Sequence, residues 1–250
     1  LGLVISSASA QIAGHNVILI HGFQPSQVMS QVDVIDPSDP NGWISPAAAS
    51  QVETDGWLYW GDFWASRAEG FINWSSTWRI EGETDMYAFE KLKDFSQNGL
   101  CDSGCVVVTH STGDLVARHL LENQARWLSN AGFSPLNILA VLDFAGAGGG
   151  TELANTVINV AQNNAWYMEA ARQVVNLFMG FDVGDVGDVG DVGNLGVLYD
   201  LQVNAARGLA TSPSDIPHLR FVGNGSQYLG ATKPFTSQTM SGLVYQTLNQ

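Results

Sequence analysis

The sequence predicts an α/β domain: a mostly parallel sheet with helices on both faces. Three observations carry that expectation. Continuous apolar runs at 16–20 (NVILI), 106–108 (VVV) and 137–144 (NILAVLDF) have the pattern of strands buried on both faces, as in parallel sheets. Helical spacing fills the gaps between them, in the order β-α-β-α-β. The chain has 250 residues, 45% of them hydrophobic, and a mean hydropathy of +0.04, which is enough apolar material for one substantial core and too much for a disordered chain.

The opening LGLVISSASA (1–10) matches the back half of an export signal, an apolar stretch followed by the small-x-small pattern Ala8-Ser9-Ala10. The mature protein is then expected to start near Gln11 and to be secreted or periplasmic, with 11–250 forming a single domain. A short first strand is the alternative for LGLVI. Residues 24–80 look loop-rich and carry six of the eight tryptophans, as core or lid packing or as an apolar groove. Residues 84–97 predict an amphipathic helix capped by Thr84, with Met86, Phe89, Leu92 and Phe95 inward. Helical spacing returns over 115–128. Gly146–Gly150 marks a turn, and 152–179 and 197–210 predict helices, so that 151–212 forms a helical cap or lid. LRFV at 219–222 predicts the last strand.

Between those helices lies DVGDVGDVGDVG (182–193). It lacks the proline and length of a collagen triplet array and does not match the calcium-binding nonapeptide. It predicts an acidic surface loop. Asp182, Asp185, Asp188 and Asp191 offer the oxygen ligands that suit calcium, but a solvated loop is the default; no cofactor is expected otherwise.

Charge narrows the partners. Ten Lys and Arg against twenty-four Asp and Glu give a net charge of −14, which repels phosphate backbones, so nucleic acid is not expected as a partner. No apolar run approaches the length of a transmembrane helix, about 20 residues. Cys101 and Cys105 are the only cysteines; in an oxidising compartment they predict a small structural disulfide, because two sulfurs without a nearby histidine make a poor zinc set.

The chemistry is concentrated where the VVV strand runs into Thr109-His110-Ser111-Thr112-Gly113 and then a helix. This matches the nucleophile elbow, Gly-x-Ser-x-Gly, in its strand, tight turn and helix context, with Thr109 in place of the first Gly. Through VILIHGF (17–23), VVVTHSTGDLVARHLL (106–121) and, more weakly, ILAVLDFAGAGGGTELAN (138–155), the chain resembles the α/β-hydrolase superfamily, and within it the exported bacterial lipases and esterases. The resemblance implies an α/β-hydrolase fold and an exported serine hydrolase of small-molecule or lipid carboxylic esters. Ser111 would be the nucleophile, and the backbone N–H groups of Phe23 and Thr112 would form the oxyanion hole. An acyltransferase or polyester depolymerase would use the same acyl-enzyme chemistry, and an inactive binding module on the same fold is the contrasting reading.

A serine nucleophile needs a histidine base oriented by a carboxylate, in the chain order serine, acid, histidine. The five histidines do not supply it: His15 and His21 precede the serine, His110 belongs to the elbow, His119 lies along the following helix, and His218 begins a strand at the far edge of the sheet. The triad histidine is therefore expected beyond Gln250, in a chain truncated at its C-terminus. Asp143, inside a strand, is an unusual candidate acid, since a buried carboxylate needs partners. No acid follows His218.

Overall fold

A computed structural model describes residues 12, 14–24, 27, 45–162, 196–209 and 215–221. Within them, five strands form one parallel sheet: β1 (Asn16–Ile20), β2 (Gly70–Phe71), β3 (Cys105–His110), β4 (Ile138–Phe144) and β5 (His218–Phe221), in the order β2-β1-β3-β4-β5. The alternation read from the sequence is present, with one strand more than expected. β2 is only two residues long, too short to leave a periodic signal.

The helices are α1 (Pro46–Ala65), α2 (Asp85–Gln97), α3 (Gly113–Asn130), α4 (Glu152–Gln162), α5 (Val197–Asp200) and α6 (Val203–Leu209). They cover both faces of the sheet. Ile18, Ile20, Val107 and Val141 pack with Leu92 and Phe95 of α2, Leu115, Val116 and Leu120 of α3, and Val157 and Ile158 of α4. Val17, Leu19 and Val108 point the other way, against Tyr59, Trp60 and Trp64 of α1. Successive strand residues face opposite sides, so one apolar run feeds both layers.

Several expectations are corrected. The stretch 24–80 contains the twenty-residue helix α1, begun by Pro46 in the first turn and by Ser45, whose Oγ accepts the Ala48 N–H at 3.2 Å. Gly61, at φ 60°, interrupts it near its end. Thr84 does not cap α2: it has helical dihedrals and closes a π-helical turn, Ile80–Thr84, while its hydroxyl stays buried without a partner. The inward face of α2 is Ala88, Leu92 and Phe95, with Met86 exposed. Steps of three residues drift around a helix of about 3.6 residues per turn, which carries Met86 off the face that Leu92 and Phe95 share. Of the tryptophans, Trp60, Trp74 and Trp78 are core, whereas Trp57 is exposed. The predicted helix 197–210 is two short helices, α5 and α6. The rest of the helix predicted to 179, the 182–193 repeat and the opening segment lie outside the described residues.

Cys101 and Cys105 are joined in a disulfide that closes the loop into β3. No described helix is long and apolar enough to cross a membrane.

The strand order carries a consequence for function. From β1 the chain moves through α1 to β2 on one side, then crosses through α2 to β3 on the other. The loops leaving β1 and β3 therefore diverge at their carboxyl ends, the switch point where open α/β sheets bind ligands.

Candidate active site

Both loops at the switch point carry residues singled out in the sequence. After β3 the chain turns sharply at Ser111, half-buried, with φ 55°, a left-handed conformation that non-glycine residues rarely adopt. The turn is held on both sides: the Ser111 N–H donates to the Phe144 carbonyl at 3.0 Å, and the Ser111 carbonyl accepts from the N–H groups of Asp114 (3.1 Å) and Ala147 (3.0 Å). α3 starts two residues later. A side chain at Gly113 would overlap the Ile20 carbonyl oxygen and come within 2.6 Å of that of His21, so this close approach of α3 to the end of β1 admits only glycine.

The β1 loop fits against the same turn. A Cβ on Gly22 would lie 2.9 Å from both the His110 carbonyl oxygen and Ser111 Cβ, and would overlap the Tyr59 hydroxyl. The loop is anchored from the other side by the 73–76 segment. Trp74 donates its backbone N–H to His21 Nε2 (3.2 Å) and its indole N–H to the His21 carbonyl (3.0 Å), and the Gln24 N–H donates to Ser76 Oγ (2.8 Å). His21 stacks on the Trp74 ring, 5.1 Å between centroids. Burial pushes the His21 pKa down to about 4, so the ring is neutral. Accepting at Nε2 leaves the proton on Nδ1, which donates to the Gly22 carbonyl at 2.8 Å. These contacts engage the groups on either side of Phe23. Among the described residues, no hydrogen bond takes up the N–H of Phe23 or of Thr112.

Sequence reasoning missed Tyr59. α1 brings its phenol beside Gly22, where it bonds His110 Nδ1. Burial pushes the Tyr59 pKa up to about 12, against the opposing pull of the Gly22 main chain, and burial also lowers that of His110. The phenol is thus protonated and the imidazole neutral. Only the assignment of a helix to 46–65 would have pointed to it.

Behind the turn lies a buried charge network. Thr109, at the position where the elbow pattern has glycine, lies opposite Asp143 in the sheet and donates its hydroxyl to Asp143 Oδ1 at 3.1 Å. Arg220 on β5 bridges two carboxylates, with Nε to Asp143 Oδ2 and Nη2 to Asp114 Oδ2, each at 2.7 Å. Asp114 also accepts the Gly148 N–H at 3.0 Å and pairs with Arg118. Burial, then the nearby Asp114 charge, raise the Asp143 pKa, partly offset by Arg220 and Thr109. Asp143, the candidate acid, is therefore held by Thr109 and Arg220, and no described histidine bonds it.

The histidines are likewise occupied elsewhere. His15 bonds the Ser103 carbonyl, and His119 spans Asp85 and the Leu209 carbonyl, which makes it the packing residue its helical position suggested. His218 enters β5 opposite Val141, at the end of the sheet away from Ser111. None hydrogen-bonds Ser111. Among the described residues no cluster of His, Cys, Asp and Glu is arranged to hold a metal ion; the four repeat aspartates lie outside them.

Beside the turn runs an aromatic ledge. Phe144, whose carbonyl holds Ser111, stacks on Phe221 (4.6 Å between centroids) and meets Trp64 edge-on (5.9 Å), which in turn meets Phe63 (5.7 Å). Phe63 and Phe221 are exposed.

No protein-family model matches the chain, and neither does any curated protein. Among solved structures it is similar to the mature form of Bacillus licheniformis lipase BlEst2, at 14% identity over 93% of this chain and 81% of that one, with a TM-score of 0.45. It is also similar to lipase 1 from Pelosinus fermentans (13% identity, 81% and 66% coverage, TM-score 0.34) and to EstA from Clostridium botulinum (12%, 82% and 59%, 0.35).

Proposed function

We propose that this protein is an exported serine hydrolase of the α/β-hydrolase type, cleaving carboxylic esters through an acyl-enzyme on Ser111. The observation that carries the reading is the geometry at the switch point. Ser111 stands at φ 55° between a parallel strand and a helix, in contact with the β1 loop, and among the described residues no hydrogen bond takes up the backbone N–H groups of Phe23 and Thr112 on either side of it. A strained turn is retained only where the surrounding structure determines it, and it exposes the hydroxyl at the carboxyl edge of the sheet.

The chemistry follows from these parts. Ser111 Oγ attacks the ester carbonyl carbon, its proton passes to a base, and the carbonyl oxygen becomes an oxyanion held by the N–H groups of Phe23 and Thr112. The base gives that proton to the leaving alcohol, then takes one from the water that attacks the acyl carbon, and returns it to Ser111 Oγ as the acid is released. His21 serves as a fixed strut: it is neutral, buried and bonded at both nitrogens, and it keeps the Phe23 loop in place. The Phe144, Phe221, Trp64 and Phe63 ledge favours an apolar acyl chain or an aromatic ester. The base this reading needs is not supplied by the five histidines, none of which bonds Ser111. Asp143, with both oxygens occupied, acts in this reading as a strut of the turn.

An inactive version of the same fold that binds lipid or protein is the second reading, and the observation favouring it is the lack of any histidine bonded to Ser111. The experiment that separates them is hydrolysis of nitrophenyl esters together with labelling by a fluorophosphonate probe. The wild-type protein is expected to label and turn over. Ser111→Ala is expected to lose labelling and the acyl-enzyme route, leaving at most a residual rate roughly a thousandfold above the uncatalysed one. Full turnover by Ser111→Ala would overturn the nucleophile assignment, and an inert wild-type protein would favour the binding module.

A further inference from the structure

We infer that Tyr59 supplies a third, side-chain donor to the oxyanion, from a position the elbow pattern does not specify. The inference rests on the serine-hydrolase reading above and adds a residue to it. Tyr59 lies on α1, far in sequence from both loops of the switch point, yet its hydroxyl and Ser111 Cβ crowd the same point above Gly22 and are separated by the space of a single methyl group. The hydroxyl is thus on the serine side of the β1 loop, one residue from the Phe23 N–H.

The bonding around the phenol makes it a donor. Its hydrogen-bond partner is His110 Nδ1, and the Gly22 main chain lies close beside it. Where the neutral imidazole carries its proton on Nδ1, the phenol oxygen accepts from His110 and its own proton is left for a second acceptor, and the donor role assigns that form to the working site. Accepting from His110 polarises the O–H bond toward donation. The ring is held in place: it packs against His21 (5.5 Å between centroids), Trp60 (5.7 Å) and His110 (5.7 Å). A preorganised donor of this kind costs no reorganisation when charge develops, which is the condition for a large effect on the transition state. Glycine at position 22 has a second use in this arrangement, because any side chain there would displace the hydroxyl.

The test compares wild type with Tyr59→Phe, which keeps the ring and removes only the hydroxyl. Two quantities are measured: kcat and KM on a short nitrophenyl ester, and the affinity for an alkyl trifluoromethyl ketone. That ketone adds to Ser111 as a hemiketal: a C–O bond forms from Oγ to the carbonyl carbon, the serine proton passes to the imidazole base the reading requires, and the carbonyl oxygen becomes an oxyanion. Loss of one oxyanion donor is expected to lower kcat about a hundredfold, the lower end of the range for such donors, with KM changed less than about threefold. Ketone affinity should fall by a similar factor. Binding of the corresponding alcohol, which cannot form an oxyanion, should not change. A merely structural role would weaken alcohol and ketone equally. If Tyr59→Phe keeps wild-type kcat, or binds the ketone as tightly as wild type, the donor role is overturned while the serine mechanism stands. If wild type forms no hemiketal and takes no fluorophosphonate, both fall together.

Discussion

Replacing Arg220 by Met puts the buried charge network behind Ser111 to a direct test. Arg220 is the only described cation bridging Asp143 and Asp114, whose side chains are 1% and 0% exposed. Met fills a similar length without the charge, leaving two carboxylates close together in the interior. Removing one partner of a buried ion pair costs about 3–5 kcal/mol. Because the Arg220 side chain is 34% exposed, water already screens part of the interaction, and the lower end, about 3 kcal/mol, applies. With a urea dependence of about 3 kcal/mol per molar, the unfolding midpoint should fall by roughly 1 M at pH 7.5. The pH dependence carries the sharper signature. The Asp143 pKa is already above its ordinary value, and Arg220 is one of the groups holding it down, so it rises further in the variant. A carboxyl whose folded pKa exceeds its unfolded one contributes stability below the unfolded value and loses it as pH rises through the folded one. The deficit of the variant relative to wild type should therefore be largest at neutral pH and shrink toward pH 5. Urea titrations of both proteins at pH 7.5 and 5 measure it by tryptophan fluorescence. A midpoint shift under about 0.3 M at pH 7.5, or a deficit that does not change with pH, would refute the network as described.

Two further expectations follow from neighbouring contacts. Gly113→Ala forces a methyl group onto the backbone carbonyls of Ile20 and His21, which have no flexible end to yield, so a loss of about 1–3 kcal/mol is expected by chemical denaturation; ester turnover should fall with it, as the Phe23 loop is displaced, and an unperturbed protein would count against the close approach. For His119, burial pulls its pKa down but the Asp85 carboxylate and the Leu209 carbonyl outweigh it, and the net shift is upward. The stability it adds is present below the ordinary histidine value of about 6.5 and is lost as pH rises through the raised one. Wild type should thus lose stability between pH 6 and 8 in thermal melts relative to His119→Gln, and parallel profiles would refute the assignment.

Much of the fold was legible because burial on two faces writes itself as continuous apolar runs. β1, β3, β4 and β5 were each readable, as were α3 and the turn at Ser111, whose neighbours Thr112 and Gly113 suit a strand that must reverse into a helix. Gly113 was recognisable as part of a motif, but its reason, the Ile20 and His21 carbonyls, belongs to a strand ninety residues earlier. α1 and β2 were hidden: the helix carries Gly56 and Gly61 and spreads its apolar residues around its circumference, and a two-residue strand has no period.

The sequence by itself determined the alternation of strands and helices, the disulfide partners and the sharp turn at Ser111, since each depends on residues close together in the chain. Tertiary structure alone decided what surrounds that turn. Thr109 is tolerated at the elbow because Asp143, on the adjacent strand, accepts its hydroxyl. Asp143 is held by Arg220, seventy-seven residues away, and Tyr59 meets His110 across fifty-one residues. Such pairings are set by the order in which strands join the sheet, and no local pattern of apolar or polar residues encodes that order.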